Sequence, residues 1–404
     1  MLAELFQAAK TIISIAVYGK RRPSWDWKLH MFCDIVRNYT KQLFPEFLDE
    51  NIESLDYKEV HRKFAASPIP SSKMGIDIGV YIALGINVAD IQIDASKLSG
   101  FGLAEEPLKR LINLDLSDCS TGRLLPFELL AAWTSCEHHD EVSRVDYSKA
   151  LDPYPLSAEE KVILYLHGGS YVQGSPDSHR ELVAQLSKCT KMRAFVVDYR
   201  LAPLDPFPAQ LHDALILYNY LLKLGYKPSS IIFAGDSAGG HICLDLFLLL
   251  RHGYLQGDNI AGMVLMSPMP AFGLKGDSLK TNEAFDYLVP IPLEWPTSPI
   301  RLAYKPGHRC TDEYKQELDD PILTPANGCL AGLPPIIIQC GECELIVDDI
   351  RRLHEKIKGD DPAAESKIIY EEYKDMFHVF HRFLDRPESK QAFESLAKFA
   401  DRLN

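Results

Sequence analysis

After residue 160 the chain carries five short, continuous apolar runs: Val162 to Leu166, Ala194 to Val197, Ile231 to Ala234, Ala261 to Met266 and Pro335 to Gln339. A run with no polar alternation is how a strand looks when both of its faces are buried, the condition of strands in a parallel sheet. Between the runs lie stretches with helical spacing: Arg180 to Cys189, Gln210 to Leu224, the residues after Ser237, and Asp348 to Ile357. Parallel neighbours cannot be joined by tight turns, so strand and helix have to alternate. The pattern predicts an α/β fold with a mostly parallel central sheet and helices on both faces. Lys367 to Tyr373 supplies one more strand and Ser389 to Leu403 a closing helix.

One interval is too long for a simple crossover. Almost seventy residues separate Met266 from Pro335, with helix-like pieces near Leu279 to Tyr287 and Thr311 to Leu318. They predict a cap insertion at about 270–320. Residues 1–65 read as a helical cap segment, with apolar positions at Leu2, Leu5, Phe6 and Ala9, then at His30-Met31-Phe32, Ile35-Val36 and Leu43. Residues 66–404 form the main domain, and the two cap pieces are expected to meet above the carboxyl ends of the strands, where such sheets bind ligands. Phe127 to Thr134 is a further strand candidate; residues 73 to 125 have no clear period.

Composition narrows the partners. A formal net charge of −13 argues against nucleic acid, whose phosphates need clustered Lys and Arg. The nine cysteines have no disulfide spacing, and Cys340-x-x-Cys343 lacks the second pair or histidine of a metal site. His138-His139 has no ligand partner either, so neither metal nor cofactor is expected. Thr11 to Tyr18 is apolar for only eight residues, and Lys20-Arg21-Arg22 follows it rather than preceding it. That is too short for a membrane span and ordered wrongly for a secretory signal. An amphipathic helix belonging to the fold is expected, peripheral membrane contact being the alternative, in a cytoplasmic protein whose oligomeric state, homodimer included, is left open.

The run Ile231 to Ala234 leads straight into Gly235-Asp236-Ser237-Ala238-Gly239-Gly240 and then the apolar stretch Cys243 to Leu250. A strand, a sharp turn with glycines on both sides of one serine, and a helix form the setting of a nucleophile elbow. The serine backbone there is strained, and side chains at the flanking positions would strike the neighbouring strand and helix. A serine hydroxyl needs a positioned base to take its proton, and with this elbow an acid and then a histidine follow in chain order. His378, after the last strand, is the expected base, with His381 its nearby competitor. The acid is expected in Gly341 to Asp349, where Glu344 stands just before the helix. Asp348 and Asp349 suit the helix's first turn, where negative charge complements the dipole, and Glu342 is read as facing water. His167-Gly168-Gly169-Ser170 follows the first apolar run. The N–H groups of Gly168, Gly169, Ser170 and Ala238 are the expected oxyanion donors.

In this order the motifs resemble the hormone-sensitive-lipase-like branch of the α/β-hydrolase family, most of all its fungal esterase members. Leu164 to Gly174 is similar to that branch's oxyanion motif, and Asp198-Tyr199-Arg200-Leu201-Ala202-Pro203 with Pro206 to Ala209 to its second signature. Gly235 to Gly240 matches its elbow; Leu333-Pro334-Pro335 with the Glu344 loop, and Phe377 to Phe380, resemble its acid and histidine segments. The likeness covers about residues 160 to 400, and Pro23 to Leu43 is similar to the N-terminal cap of fungal members. Departures are Ser170 for the usual third glycine, Leu204 for a common acid, His241 for the usual Asn and Glu344 where many members use Asp.

The resemblance implies the α/β-hydrolase fold and a serine hydrolase cleaving carboxylic esters of small or medium hydrophobic molecules, through Ser237, His378 and Glu344. The substrate is then a small ester or acyl compound. One rival is a natural-product biosynthetic enzyme using the same site for acyl transfer, deacetylation, condensation or cyclisation. Another is a non-catalytic small-molecule receptor, although receptors on this fold have lost the histidine that this chain keeps.

Overall fold

The computed structural model describes residues 20–43, 55–65, 87–94, 124–131, 160–251 and 259–403. Among them are eight strands: β1 Asn87–Asp94, β2 Leu124–Ala131, β3 Val162–Leu166, β4 Arg193–Val197, β5 Ile231–Asp236, β6 Gly262–Met266, β7 Ile336–Gly341 and β8 Ile368–Tyr373. They form one sheet in the order β1-β2-β4-β3-β5-β6-β7-β8. The pairings β1 with β2 and β2 with β4 are antiparallel, and every pairing from β4 across to β8 is parallel. Register sets Ile163 beside Ala194 on β4 and Ile232 on β5. Successive side chains leave a strand on opposite faces. Leu164, Phe233, Leu265 and Ile338 thus enter one core while Ile163, Ile232, Val264 and Ile337 enter the other, which accounts for runs with no polar alternation.

The helices are α1 Trp27–Leu43, α2 Tyr57–Ala65, α3 Pro176–Thr190, α4 Ala209–Lys223, α5 Ala238–Arg251, α6 Ser278–Thr281, α7 Pro299–Ala303, α8 Asp312–Glu317, α9 Val347–Asp360 and α10 Pro387–Leu403. Helices α4, α5 and α9 cover the first core, and α3 and α10 the second. Local chemistry sets their limits. Helix α3 starts at Ser175, which forms a reciprocal capping box with Ser178, has Pro176 at its first turn, and stops at Lys191 in a left-handed conformation, φ 57°. The first turn of α5 lies so close to β3 that a Cβ on Gly239 would sit 1.9 Å from the Leu166 carbonyl oxygen.

Strand order reverses about β3, which has β4 on one side and β5 on the other. The chains leaving β3 and β5 therefore open onto one crevice at the carboxyl end of the sheet. Trp25 and α1 pack beside it, Trp25, Leu29 and Cys33 forming a third cluster with Met376, Phe377 and Phe380. The Trp25 indole N–H donates to the Asp375 carbonyl at 2.7 Å, and Arg386 donates to Asp26 at 3.1 Å and to the Ser24 carbonyl at 2.8 Å.

Several expectations shift. The strand anticipated from Phe127 is β2 and starts at Leu124, and β1 falls in the stretch that showed no clear period. The helix expected over Leu279 to Tyr287 shrinks to α6, because the following residues are held by side-chain bonds to the 342–349 loop instead of by an intrahelical ladder. Cys340 and Cys343 are buried free thiols. Thr11 to Tyr18 and His138-His139 lie outside the described residues. No described helix is long and apolar enough to cross a membrane.

Candidate active site

Ser237 sits between β5 and α5 with φ at +51°, a conformation that costs a non-glycine residue on the order of 1 kcal/mol or more. Backbone bonds on both sides hold it there. Its N–H donates to the Met266 carbonyl at 3.0 Å, and its carbonyl accepts from Met269 at 2.9 Å and His241 at 3.2 Å. The strained turn aims Oγ at His378 Nε2, 2.8 Å away, and His378 Nδ1 lies 2.8 Å from Glu344 Oε2. An ionised carboxylate only accepts, so Nδ1 carries the hydrogen and the Nε2 lone pair faces the serine.

Glu344 is fully buried, and its other oxygen accepts from the Ser267 hydroxyl at 2.6 Å and the Gly341 N–H at 2.5 Å. The same Ser267 hydroxyl accepts the Val379 N–H at 3.0 Å, so one side chain ties the loops carrying Glu344 and His378. Burial disfavours charge on His378, but the hydrogen bond to Glu344 and the nearby carboxylates of Asp286 and Asp236 outweigh it and raise the imidazole above its ordinary value.

The loop after β3 enters through Gly169 at φ +121°, Ser170 at +54° and Tyr171 at +67°. The Gly168 N–H donates to Asp236 Oδ1 at 3.0 Å, which removes it from the expected oxyanion donors. The N–H groups of Gly169, Ser170 and Ala238 have no hydrogen-bond partner among the described residues, and Gly169 and Ser170 border the cavity beside Ser237. Asp236 also accepts the Tyr165 hydroxyl at 2.6 Å. Burial opposes its charge, but His179, 3.4 Å away, and these donors hold it well below the carboxylate range. Tyr199, from the second signature, donates to the His167 carbonyl at 2.5 Å and stacks on the His167 ring. Burial presses His167 and His241 down to about 3, so both are neutral. His241 pairs through Nδ1 with the Tyr171 hydroxyl and through Nε2 with the Leu323 carbonyl at 3.2 Å.

The competing residues have other partners. His381 Nε2 faces the Gln339 side chain at 3.1 Å, and burial lowers its pKa to about 3. Asp349 accepts the N–H groups of Lys275 and Gly276, each at 3.1 Å, and Asp348 that of Ser278 at 2.8 Å. Glu342, expected to face water, accepts the Asp375 N–H at 3.1 Å. Glu342, Cys343 and Asp375 are within 4.8 Å of one another. Burial pushes the Cys343 thiol up to about 12, and Asp375 accepts the Ser24 N–H at 3.4 Å, which ties Asp375 to the N-terminal segment. Ser267 and Asp286 lie outside every motif of the sequence. Ser267 stands at the carboxyl end of a buried run, a position that merits notice in such sheets, whereas nothing in the pattern around Asp286 marks it.

Ser237 opens into a cavity of about 530 Å³. Phe32 and Val36 of α1 line it together with Leu279, Tyr287 and Ile291 of the 267–335 segment, so the walls beyond the serine are largely apolar.

A doubly covered, mostly parallel sheet with a strained serine after β5 and a histidine after β8 defines a hydrolase of the α/β class. A family model described as the alpha/beta hydrolase fold matches residues 163–382. An esterase of Acinetobacter venetianus is 34% identical over 246 residues, 60% of this chain and 76% of the relative. An acetyl-hydrolase of Streptomyces hygroscopicus is 34% identical over 249 residues, 61% and 77% of the two chains. A versiconal hemiacetal acetate esterase of Emericella nidulans is 29% identical over 228 residues, 54% and 73%. Among solved structures, the esterase EstE5 soaked with ethyl alcohol superposes with a TM-score of 0.61 at 26% identity, covering 93% of this chain and 98% of its own. An esterase of the bacterial hormone-sensitive lipase family shares the fold, with a TM-score of 0.60 at 24% identity over 94% of this chain and 99% of its own. This chain belongs to the α/β-hydrolase family and is a carboxylic ester hydrolase.

Proposed function

We propose that Ser237, His378 and Glu344 are the catalytic triad of an enzyme that cleaves carboxylic esters of small or medium hydrophobic molecules through an acyl-enzyme. Ser237 Oγ attacks the ester carbonyl carbon as His378 Nε2 takes its proton, and Glu344 holds the ring in the required tautomer and stabilises the imidazolium. The N–H groups of Gly169, Ser170 and Ala238 receive the developing oxyanion. His378 then delivers its proton to the leaving alkoxide, and a water activated by the same imidazole releases the acid. The observation that carries this reading is the unbroken chain from Ser237 Oγ to His378 to Glu344, 2.8 Å at each step, ending at an apolar cavity. Helix α1 and residues 267–335 act as the cap that selects substrate.

A panel of p-nitrophenyl esters of increasing chain length tests it: Ser237→Ala should abolish turnover, and unchanged turnover would end the proposal. The likeness to the versiconal hemiacetal acetate esterase favours a second reading, deacetylation of a bulkier natural product. A fluorophosphonate adduct on Ser237 without turnover of any simple ester would select that reading.

A further inference from the structure

Residues 275–288 run along the loop that carries Glu344 and are tied to it in succession. Beyond the bonds from Asp348 and Asp349, the Ser278 hydroxyl donates to the Leu345 carbonyl at 2.6 Å, and the Asn282 amide donates to the carbonyls of Glu342 at 3.0 Å and Glu344 at 2.9 Å. At the end of this strap stands Asp286, fully buried. One of its carboxylate oxygens accepts the Leu345 N–H at 2.7 Å. The other accepts the N–H groups of His378 and Leu288, each at 3.3 Å. Helix α1 reaches the same point, Arg37 donating to the Asp286 carbonyl at 2.9 Å and to the Glu283 carboxylate at 3.5 Å.

A buried carboxylate is costly unless donors meet its oxygens. Here the donors are backbone groups of the residue after Glu344 and of His378 itself. Resting on the catalytic roles proposed above for Ser237, His378 and Glu344, we infer that Asp286 is a positioning residue of the triad, clamping the acid and base loops in register and joining that register to the segment covering the cavity. Asp286 touches neither Ser237 nor the cavity wall in this arrangement; it acts through the backbone of its neighbours.

Its charge is felt as well. The titratable groups facing it are His378, Glu344 and Cys343 from the two loops, Cys33 and Arg37 from α1, and Tyr287 and Glu283 from its own segment. Cys33 and Tyr287 are neutral, both pushed upward by burial. Asp286 is among the carboxylates that raise His378.

Steady-state kinetics of Asp286→Asn and Asp286→Glu on a short p-nitrophenyl ester, from pH 5 to 9, tests the inference. Asparagine keeps one acceptor oxygen but turns an NH2 toward a backbone donor. The expected result is a kcat lowered about 10- to 100-fold, the scale of a modest misplacement, with KM within about twofold and the acid limb of kcat/KM moved to lower pH. Glutamate keeps the charge at the wrong length, so it should lower kcat while leaving the acid limb where the wild type has it; this carries the test should Asp286→Asn not fold. A folded Asp286→Asn with wild-type kcat and an unmoved acid limb, while a fluorophosphonate still labels Ser237, overturns the clamp alone. Wild-type turnover in Ser237→Ala would instead overturn the triad proposal on which the clamp rests.

Discussion

Replacing Glu344 by glutamine tests the proposed acid at the level of one hydrogen. Glu344 Oε1 faces two fixed donors, the Ser267 hydroxyl and the Gly341 N–H. A glutamine in the same place must turn its amide oxygen toward them, since an NH2 would meet donors there. Its NH2 then faces His378 Nδ1, which now has to accept, and the ring hydrogen moves to Nε2, pointing at Ser237. The hydroxyl proton is left without an acceptor, and the imidazolium without its counter-charge. In serine proteases a tautomer fixed the wrong way lowers kcat by about 10⁴. A loss of about 10³ to 10⁴ in kcat, with KM within a few-fold, is expected here, equivalent to about 4–5.5 kcal/mol in the barrier. Turnover of p-nitrophenyl acetate at pH 8, with circular dichroism to establish folding, measures it. Asp348→Asn and Asp349→Asn, whose oxygens hold residues 275–278, should change kcat by a few-fold at most. A Glu344→Gln loss below tenfold, or an equal loss in either aspartate variant, would refute the reasoning.

Val36→Trp on α1 narrows the cavity, so kcat/KM for a long acyl chain should fall by about tenfold or more relative to acetate, on the scale that a few methylenes are worth in an apolar pocket; an unchanged ratio in the ester panel would place the substrate elsewhere. Trp25→Ala removes a fully buried indole packed edge-on to Phe377, and should cost about 3–5 kcal/mol in denaturant unfolding; a cost below about 1 kcal/mol, in the range typical of surface substitutions, would contradict the docking of the N-terminal segment. Burial raises Asp286 from 3.8 to about 6 in the fold. The unfolded chain loses that proton at lower pH, so this group's contribution is fully present below about pH 4 and diminishes as pH rises through 6, by about 3 kcal/mol in all. Urea midpoints at pH 4 and pH 7 should therefore fall more in the wild type than in Asp286→Asn, and equal changes would show that Asp286 does not titrate in this window.

Much of the molecule was legible because parallel strands leave an uninterrupted apolar record. The runs from Val162 to Gln339 are the five strands in which neighbours on both faces exclude water, and the turn at Ser237 announces itself through glycines that only sterics can require. Loops are different. Gly168 looks the same in sequence whether its N–H faces a substrate or Asp236, and the outcome depends on a carboxylate sixty-eight residues away. Leu279 to Tyr287 has helical spacing, yet its side chains serve the cavity on one side and the Glu344 loop on the other, and bonds from Asn282 and Asp286 replace the helical ladder. Long-range partnership of this kind leaves no periodic trace. The strand β1 leaves little trace for a simpler reason: Ile91 and Ile93 alternate with Gln92 and Asp94 over a stretch too short to stand out among unpatterned neighbours.

The most direct measurement is the mass and position of a fluorophosphonate adduct on the wild type and on His378→Ala, read by intact mass and peptide mapping. One adduct per chain, on Ser237, forming at least a thousandfold more slowly without the histidine, is the result expected of a serine activated by His378. No adduct on the wild type, an adduct at another residue, or equal rates in both proteins would contradict it.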